Sequence, residues 1–501
     1  MLYSILWWGA GICIALLLVV ATIMGLLVLM LRAMHDSIGP LPPGDQPIDL
    51  DKSPLLRRLP FLRKRLAWTP IGVFPTPVHA ARLPNLNGPQ KDGQFFIKRE
   101  DFSSPIYGGN KVRTLQHQLA ACAIHHKTHP EAKYLTLGSS GSNQNVATLV
   151  HGKTLGLPVH PCLAQADAPD LENTLNLLSI LSFNPSVVRL WTKPLGILAA
   201  YLRALFVNSD KIFAMGGNNM LGVLGQMGGI LELAEQIEAG EVPDIDVLYL
   251  PVGSTCTLSG HVLGICLAKH IGMKAFESPG FKIVAVPIHP GIGAAQRNFG
   301  IFHSRLSSFL PLFPRFAFSR VSKYLKREGL DVDLEPLAIA FLKDHVELVT
   351  DHELIGEYGT HSLPSLAAAT LDTTMQVEGK QPEWMASLHD DQQRKAIIPW
   401  LCGHFAAKPF ARLVDDLQRE GEKPAKPLVR LFWQTKSWIQ PHGGADEWTH
   451  LNQLAKEKPV KEWINKGRAH SLLRRGSVSV PNGNPSTYQY LMTKVQEQFP
   501  C

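Results

Sequence analysis

IKREDFSSPIYGGNK, residues 97–111, is the stretch of sequence that says most about the fold. An apolar run that ends at Ile97 is followed by charged residues, by Gly108 and Gly109, and then by Lys111, which opens a helical pattern. Two glycines let the backbone pass close to a ligand. A lysine at a helix start meets the positive end of the helix dipole, which lowers its pKa towards that of a usable Schiff-base amine. A surface lysine after a glycine turn is the ordinary alternative.

Two further polar loops follow predicted strands. The first is Leu137–Asn145 (LGSSGSNQN), which offers hydroxyl, amide and backbone N–H groups. The second is Val252–Gly260 (VGSTCTLSG), which opens a predicted helix. Backbone N–H groups and hydroxyls at a helix N-terminus form an anion site, typically for phosphate. A simple helix cap is the alternative. The second loop lacks the Gly-Lys-Ser/Thr ending of a P-loop, which argues against a nucleotide triphosphate.

Apolar strand-like runs alternate with helical stretches from Phe95 onward. The predicted strands are 133–137, 157–163, 246–250, 282–287 and 428–433, and the predicted helices between them include 142–155 and 258–270. This alternation predicts an α/β fold with a mainly parallel sheet. Ligands of such sheets bind at the carboxyl ends of the strands, where the three loops stand.

In this order and spacing, the loops resemble those of the fold-type II pyridoxal-phosphate enzymes of the tryptophan synthase beta-like superfamily. The most similar group is the 1-aminocyclopropane-1-carboxylate deaminase and D-cysteine desulfhydrase family. The matching motifs are Pro75–Val78, Lys98–Asp101 with Gly108–Lys111, Ser142–Gln144, Gly216–Gly225, Glu357–Gly359 and Phe432–Thr435. The resemblance covers residues 70–440 and implies a catalytic domain of two lobes with mainly parallel sheets, the smaller lobe at about 134–245.

The resemblance also implies pyridoxal 5'-phosphate as cofactor, a small amino acid as substrate and a homodimer. By position, it implies that Lys111 forms the internal aldimine, that Asn143 hydrogen-bonds the cofactor's phenolic oxygen and that Thr435 meets its pyridine nitrogen. Ser142 would lie near the substrate carboxylate or act in proton transfer, and Tyr358 would face the substrate. The residues implied to hold the phosphate are Gly253, Ser254, Thr255, Cys256 and Thr257.

Several positions depart from the family pattern. Phe405 stands where the family has an active-site tyrosine, and Ala406 where the deaminases have a glutamate. Phenylalanine neither donates nor accepts a proton, so opening of an unactivated cyclopropane ring is expected to be compromised. Thr255 and Cys256 replace glycines of the phosphate loop, which narrows it. Residues 377–395 form an insertion that is interpreted as a surface excursion, with a lid or a partner contact as the alternative.

Residues 1–31 contain no Asp, Glu, Lys, Arg or His. About 20 apolar residues span the hydrocarbon core of a membrane, so residues 1–34 are predicted to be a transmembrane anchor. A cleaved signal peptide has a basic start and a shorter apolar region, and a buried core helix is the other alternative. Lysine and arginine follow the span but do not precede it, which predicts a single-pass protein whose catalytic domain faces the cytoplasm.

Residues 35–69 are rich in proline and basic residues and are predicted to be a semi-rigid, extended linker. Its basic residues would contact anionic lipid head groups or be solvated. Residues 441–501 are predicted to form a polar C-terminal tail. The net charge of +7 without a basic-aromatic pattern gives no indication of nucleic-acid binding. No histidine or cysteine set has metal-ligand spacing, so no metal site is predicted.

The sequence therefore predicts a membrane-anchored pyridoxal-phosphate lyase or deaminase. The expected reaction is deamination or β-elimination of a small amino acid, such as D-cysteine, to a keto acid and ammonia. The alternatives are a different lyase or a racemase on the same scaffold, a non-catalytic cofactor-binding or regulatory protein, and a membrane scaffold without cofactor.

Overall fold

The chain folds into two β-sheets with helices packed on their faces, and most of the strand pairs are parallel. The computed structural model describes residues 2–43, 49–87, 92–164, 171–183, 189–191, 210–387, 398–420, 427–444 and 453. Within these residues the predicted α/β fold, with two lobes and mainly parallel sheets, is confirmed.

The larger sheet has seven strands in the order β10-β1-β2-β11-β7-β8-β9. The strands are β1 (Val78–Leu83), β2 (Gly93–Arg99), β7 (Val247–Val252), β8 (Lys282–Pro287), β9 (Val346–Leu348), β10 (Gln376–Glu378) and β11 (Arg430–Gln434). The edge formed by β10, β1 and β2 is antiparallel, and the remaining pairs are parallel. The parallel strands are nearly continuous apolar runs because helices cover both faces of such a sheet. Insertion of β11 between β2 and β7 brings the end of the last strand beside the loops that follow them.

The smaller sheet has four strands in the order β5-β4-β3-β6, and all of its pairs are parallel. The strands are β3 (Tyr134–Ser139), β4 (Val159–Ala164), β5 (Arg189–Trp191) and β6 (Lys211–Phe213). They fall within the region predicted for the smaller lobe, although the domain boundaries themselves stay predictions.

The helices begin with the apolar N-terminal helix and end beside the last strand. They are α1 (Leu2–Asp36), α2 (Pro54–Arg58), α3 (Lys111–Thr128), α4 (Asn143–Thr154), α5 (Leu171–Ser182), α6 (Met220–Glu238), α7 (Cys256–His270), α8 (Pro290–Phe299), α9 (Pro314–Glu328), α10 (Leu334–His345), α11 (His352–Ile355), α12 (Leu363–Ala369) and α13 (Ala407–Glu420). Helix α6 packs between α3 and α7. This packing requires glycine, because a Cβ at Gly225 would lie 2.0 Å from the Arg113 carbonyl oxygen and one at Gly264 would lie 2.1 Å from Ile230.

The charged residues of the opening stretch are buried in ion pairs that hold the start of α3. Arg113, in the first turn of α3, donates to Glu100 across 2.6 Å and to Glu232 of α6 across 2.7 Å. Lys98 of β2 donates to the same Glu232 oxygen across 2.7 Å. Burial raises the pKa of Glu232, but Arg113 and Lys98 outweigh burial and lower that pKa to about 2. The network thus ties β2, α3 and α6 together directly behind Lys111.

Residues 54–68 are packed on the body, so the prediction of an extended linker is wrong for this part. Ser53 caps α2 by accepting a hydrogen bond from the Leu56 amide across 3.4 Å. Leu55, Leu56 and Leu62 are fully buried. The leucines that recur between the prolines supply enough apolar surface to dock the segment, and burial of each such side chain stabilises a fold by roughly 1.5–3 kcal/mol.

Three arginines of the same segment form ion pairs with acidic residues of the body or of the segment itself. Arg57 and Arg58 both donate to Glu235 of α6, and Arg63 pairs with Asp51. These three side chains are still 34–40% exposed, and contact of the segment with lipid head groups stays a prediction.

The insertion adds to the sheet edge and to the core. Its strand β10 pairs antiparallel with β1, and the Trp384 ring lies 6.2 Å from Phe102 and 6.3 Å from Trp438 between ring centroids. Residues 388–397, which include His389, lie outside the described residues. Most of the predicted tail, beyond residue 444, also lies outside them.

The N-terminal helix is long and apolar enough to cross a membrane over Cys13–Asp36. Its last turns are part of the folded body, since Met34 and His35 are 3% and 2% exposed. Directly after the helix, the Ser37 hydroxyl accepts a hydrogen bond from the Ile212 amide across 2.8 Å. The end of the helix is therefore hydrogen-bonded to β6 of the smaller sheet.

Candidate active site

A cavity of about 720 Å³ lies at the carboxyl ends of β3, β7, β8 and β11. It opens where ligands of parallel sheets bind. Every site residue predicted from the sequence lines it: Lys111, Ser142, Asn143, Gly253, Ser254, Thr255, Cys256, Thr257, Tyr358 and Thr435. Residues that are far apart in the chain are thus brought to one place.

Lys111 is the first residue of α3, and its half-buried side chain lines the cavity. Its Nζ donates a hydrogen bond to the Gly216 carbonyl oxygen across 2.8 Å. Burial lowers the pKa of Lys111, and the nearby Cys256 thiol opposes this shift. The direction agrees with the expectation from the sequence, but desolvation, which disfavours the charged amine, is the main cause.

Two glycines set the position of Lys111. Gly109 has φ +92°, and a Cβ there would lie 2.5 Å from the Thr435 carbonyl oxygen. Gly216 has φ +65°, and a Cβ there would lie 2.4 Å from Ser254 Oγ and 3.8 Å from Lys111 Nζ. Only glycine adopts such backbone angles freely and allows approaches this close.

The loop after β7 forms the N-terminus of α7, a helix of 15 residues. Thr255 stands at the N-cap with φ +65°, and its side chain does not cap the helix but donates to the Leu312 carbonyl oxygen across 3.1 Å. An N-terminus without a side-chain cap leaves backbone N–H groups and the positive end of the dipole for an anion. Asn110, which sequence reasoning passed over inside the GGNK motif, donates from Nδ2 to Thr257 Oγ1 across 2.9 Å and ties this loop to α3.

Asn143, the first residue of α4, is held by three donors. Its Oδ1 accepts from Tyr107 Oη at 3.0 Å, from Asn176 Nδ2 at 3.0 Å and from Lys436 Nζ at 2.9 Å. With its oxygen so engaged, the Asn143 amide NH₂ remains the group that can donate to a ligand. Burial lowers the pKa of Lys436 to about 8, while Cys402 and Glu172 act in the opposite direction. Lys436 was missed from the sequence, although it directly follows Thr435.

The other predicted residues lie around the same cavity. Ser142 is the N-cap of α4, and its Oγ accepts from the Asn145 amide across 3.3 Å. The Tyr358 ring lies 5.2 Å from the His289 ring, and both residues line the cavity. Burial lowers the pKa of His289. His289 is a second group with proton-transfer capacity that the sequence analysis did not identify.

Phe405 lines the cavity, whereas Ala406 is fully buried in the core that covers the larger sheet. The phenyl ring thus occupies a wall position where the family pattern has a phenol. Lys408 donates to the Glu357 carbonyl oxygen across 3.2 Å, and burial lowers its pKa to about 8.

Comparison with known proteins identifies the family. The model of the family described as "Pyridoxal-phosphate dependent enzyme" matches residues 70–293. Residues 70–293 therefore belong to the pyridoxal-phosphate dependent enzymes. The match includes Lys111, Asn143 and the loop that opens α7, and the cofactor of the family is pyridoxal phosphate.

Similar curated proteins come from a plant and from bacteria. The chain is 27% identical over 226 residues to the bifunctional D-cysteine desulfhydrase/1-aminocyclopropane-1-carboxylate deaminase of Arabidopsis thaliana, covering 43% of this chain and 54% of that protein. It is 29% identical over 207 residues to the nocardicin C-9' epimerase of Nocardia uniformis subsp. tsuyamanensis (37% and 60%), and 31% identical over 199 residues to the D-cysteine desulfhydrase of Klebsiella pneumoniae strain 342 (38% and 58%). The aligned regions therefore span less than two thirds of each relative.

Among solved structures, a crystal structure of a 1-aminocyclopropane-1-carboxylate deaminase homologue covers 79% of this chain and 98% of its own. It has 18% sequence identity and a TM-score of 0.49.

The residues of the cavity fit pyridoxal phosphate. The cofactor carries an aldehyde, a phosphate and a ring nitrogen. The cavity offers the half-buried amine of Lys111, whose pKa is lowered, the uncapped N-terminus of α7, and the Thr435 hydroxyl directly after β11. Its volume is within the range of about 300–1,000 Å³ that is common for small-molecule sites.

A group of possible metal ligands was also missed by sequence reasoning. Glu172, His361 and His404 place ligand atoms within 4.8 Å of one another. His404 Nδ1 lies 3.6 Å from Glu172 Oε2, and a Cβ on Gly403 would lie 1.6 Å from His361. The three residues are far apart in the sequence, so spacing rules could not find them.

The apolar N-terminal helix forms part of the cavity wall. Leu27, Met30, Leu31 and Met34 of α1 line it together with the catalytic-domain residues. The anchor and the enzyme body were predicted as separate units, so this contact was not expected.

Proposed function

We propose that this pyridoxal-phosphate enzyme deaminates or β-eliminates an amino acid to give a keto acid and ammonia. The observation that carries the proposal is the meeting of a half-buried lysine amine, an uncapped helix N-terminus and a strand-end hydroxyl in one cavity. The sequence similarity to two proteins that are named as D-cysteine desulfhydrases supports the same reaction class.

In this proposal each predicted residue has a role. Lys111 would bind the cofactor covalently, and the phosphate would lie on the backbone N–H groups of Gly253, Ser254, Thr255, Cys256 and Thr257. Asn143 would donate from its NH₂ group to the phenolic oxygen, because Tyr107 and Lys436 already occupy its carbonyl oxygen. Thr435 would meet the ring nitrogen.

Pyridoxal phosphate, when bound, supplies an electron-withdrawing ring that weakens the bonds at the carbon bearing the substrate's amine. The chain's own residues then decide which bond breaks. Lys111 Nζ, whose pKa burial lowers, would accept the proton of that carbon. A neutral Thr435 hydroxyl would leave the ring nitrogen unprotonated, and this would favour elimination over transamination. Ser142 would hold the substrate carboxylate or pass on a proton, and Tyr358 would face the substrate.

A racemase is the second candidate function. Racemisation requires proton exchange at the amine-bearing carbon and a second acid or base in the site. Tyr358 and His289 stand together in the cavity as candidates for this group, and one of the similar proteins is named as an epimerase. Phe405, by contrast, stands where the family pattern has a tyrosine, so the site lacks one proton-transfer group. This supports a third alternative, a cofactor-binding protein with little turnover.

The apolar helix is proposed to be a membrane anchor that leaves the catalytic domain in the cytoplasm. Burial of Met34 and His35 against the body supports a retained helix over a cleaved signal peptide, because removal would expose the core at these positions. The excess of basic residues after the helix supports the orientation. A homodimer is part of the proposal, and light scattering of the detergent-solubilised full chain tests it.

The reaction is tested with the full chain in detergent, loaded with pyridoxal phosphate. Cofactor absorbance is recorded first, and D- and L-amino acids are then screened for keto acid, ammonia and exchange of the α-hydrogen with deuterium oxide. Lys111→Ala is expected to lose both the absorbance and the turnover, whereas Lys153→Ala, at an exposed position of α4, keeps both. Equal absorbance in the two variants contradicts the proposal. Exchange without keto acid favours the racemase, and absorbance without either activity favours the binding protein.

Orientation is tested separately with protease protection on sealed microsomes that carry the full chain. Protease added outside is expected to digest the catalytic domain and leave a short N-terminal fragment. Full protection of the catalytic domain would contradict the cytoplasmic orientation.

A further inference from the structure

The lining of the cavity combines polar site residues with an apolar rim. The polar residues include Lys111, Asn143 and Thr435. The apolar rim includes large exposed side chains, such as Leu27 of α1 and Leu312, which are 40% and 39% exposed. A ligand that fills this cavity therefore contacts polar groups and large apolar side chains.

Further apolar surface lies beside the rim. Leu306 and Phe309, in the segment between α8 and α9, are 54% and 57% exposed. Phe309 lies next to the end of α1, because its ring centroid is 5.8 Å from the guanidinium carbon of Arg32. The rim, this segment and the exposed face of α1 thus form one apolar surface.

The position of this surface follows from the helix. A membrane core takes about 20 helical residues, and Arg32 is the first charged residue of the chain. Counted back from Arg32, the hydrocarbon-spanning part of α1 ends with the turns that contain Leu27, Met30 and Leu31. These three residues also line the cavity, so the proposed anchor would place the rim at the membrane surface.

We propose that the substrate is a membrane-borne amphiphile, an α-amino acid headgroup that carries a long hydrocarbon chain, and that it enters the cavity from the bilayer along α1. The proposal rests on the function proposed above and specifies its substrate class. The headgroup reaches Lys111 while the chain lies against Leu27, Leu31 and Leu312. A small, freely soluble amino acid makes no use of an apolar rim, and exposed apolar patches on a soluble face carry a cost in aggregation.

Binding is tested with the full chain in phosphatidylcholine vesicles and a photoactivatable 2-aminohexadecanoic acid with a diazirine on its chain. Mass spectrometry is expected to locate the label on the peptides that contain Leu27–Met34 and Phe309–Phe313. The matching diazirine hexadecanoic acid, which lacks the amine, reports partition into the bilayer alone and is expected to label these peptides at least tenfold less. Equal labelling by the two probes, or labelling elsewhere, overturns the proposal.

Two variants at the same depth of α1 provide the matched comparison. Leu31→Gln changes the face that lines the cavity, whereas Leu29→Gln changes a position that is 62% exposed and outside its lining. L31Q is expected to reduce specific labelling at least tenfold, and L29Q to leave it within twofold of wild type. Equal effects of the two substitutions overturn the proposal.

The readouts separate this inference from the proposed reaction. Turnover of short amino acids together with equal labelling by the two probes refutes the amphiphile alone. If Lys111→Ala leaves the cofactor absorbance unchanged while specific labelling persists, the proposed reaction is refuted and the amphiphile site is retained. The serine headgroup of phosphatidylserine has the required amine and carboxylate, so phosphatidylserine in the vesicles is expected to compete with the long-chain probe. The inference is overturned if neither phosphatidylserine nor unlabelled 2-aminohexadecanoic acid competes.

Discussion

Lys436 Nζ donates a hydrogen bond to Asn143 Oδ1 across 2.9 Å. This bond joins the residue after Thr435, at the end of β11 in the larger sheet, to the first residue of α4, which follows β3 of the smaller sheet. A lysine ammonium is a donor only, so the contact directs the Asn143 oxygen towards Lys436 and its NH₂ group away from it. The two lobes are therefore linked at the point where the cofactor's phenolic oxygen is proposed to lie.

Removal of this donor is expected to weaken cofactor binding. A hydrogen bond to a charged group contributes about 1.5–3 kcal/mol, so Lys436→Met should raise the dissociation constant of pyridoxal phosphate by a factor of roughly ten or more. Titration of the cofactor absorbance measures it, and Lys153→Met at an exposed position serves as control. An unchanged dissociation constant would show that Asn143 is oriented without Lys436.

Lys436 should also make stability depend on alkaline pH. Burial lowers its pKa to about 8 in the folded chain, against about 10.4 in an unfolded one. Between these values the unfolded chain binds a proton that the folded chain lacks, so the free energy of unfolding rises with pH. The free energy of unfolding of wild type, relative to that of Lys436→Met, is expected to increase by roughly 1.4 kcal/mol per pH unit from pH 8 to 10. Urea denaturation measures it, and a flat difference would contradict the lowered pKa.

The space beside Lys111 should tolerate no additional atom. Gly216→Ala would place a Cβ 2.4 Å from Ser254 Oγ, and we expect at least a tenfold loss of cofactor affinity. Gly240→Ala is the matched control, since Gly240 has a similar φ of +74° but no atom within 4 Å of the added Cβ. The control should lose only about 1–2 kcal/mol of stability through its backbone angle. Cofactor affinities that are equal in the two variants would argue against close packing at Gly216.

Local sequence patterns predicted the positions of individual strands well. Strand β8 was predicted at 282–287, where the structure has it, because IVAVP after Lys282 is an uninterrupted apolar run. Strand β3 extends to Ser139, beyond the predicted end at residue 137. Gly138 has no side chain and Ser139 is small and polar, but their backbones continue the pairing with β4.

Contacts between distant residues could not be predicted in the same way. Asn143 and Lys436 are 293 positions apart, and no periodicity connects them. The motif resemblance brought Thr435 into the site without its neighbour, because the neighbour acts on a protein group and not on the cofactor. The position of Leu31 in the cavity wall was not predicted for a related reason. A uniformly apolar helix has no amphipathic face that would indicate which side packs on the body.

The buried ion pairs behind Lys111 should be costly to break. Replacement of Glu232 by Gln leaves Lys98 and Arg113 with one carboxylate fewer, and removal of one partner of a buried pair costs about 3–5 kcal/mol. Urea denaturation at pH 7 is expected to show this loss for Glu232→Gln and almost none for Glu131→Gln, which is exposed. Because the pKa of Glu232 is lowered to about 2, its stabilising effect is complete above about pH 4.3 and is lost as the pH falls towards 2. The gap between wild type and Glu232→Gln should therefore narrow over that range, and a constant gap would show that charge is not its origin.

Phe405 tests whether one missing hydroxyl limits the chemistry. Phe405→Tyr would place a phenol on the cavity wall, where the family pattern has one, and general acid catalysis contributes typically 10²–10⁴-fold. Because Ala406 still occupies the position of the deaminase glutamate, we expect a gain of only about tenfold in ammonia release from 1-aminocyclopropane-1-carboxylate. Phe405→Leu changes the wall without adding a proton donor and should show no gain. An equal rate in both variants would mean that the phenyl ring is part of a binding surface, as the apolar rim formed by α1 also indicates, and not the remnant of a lost acid.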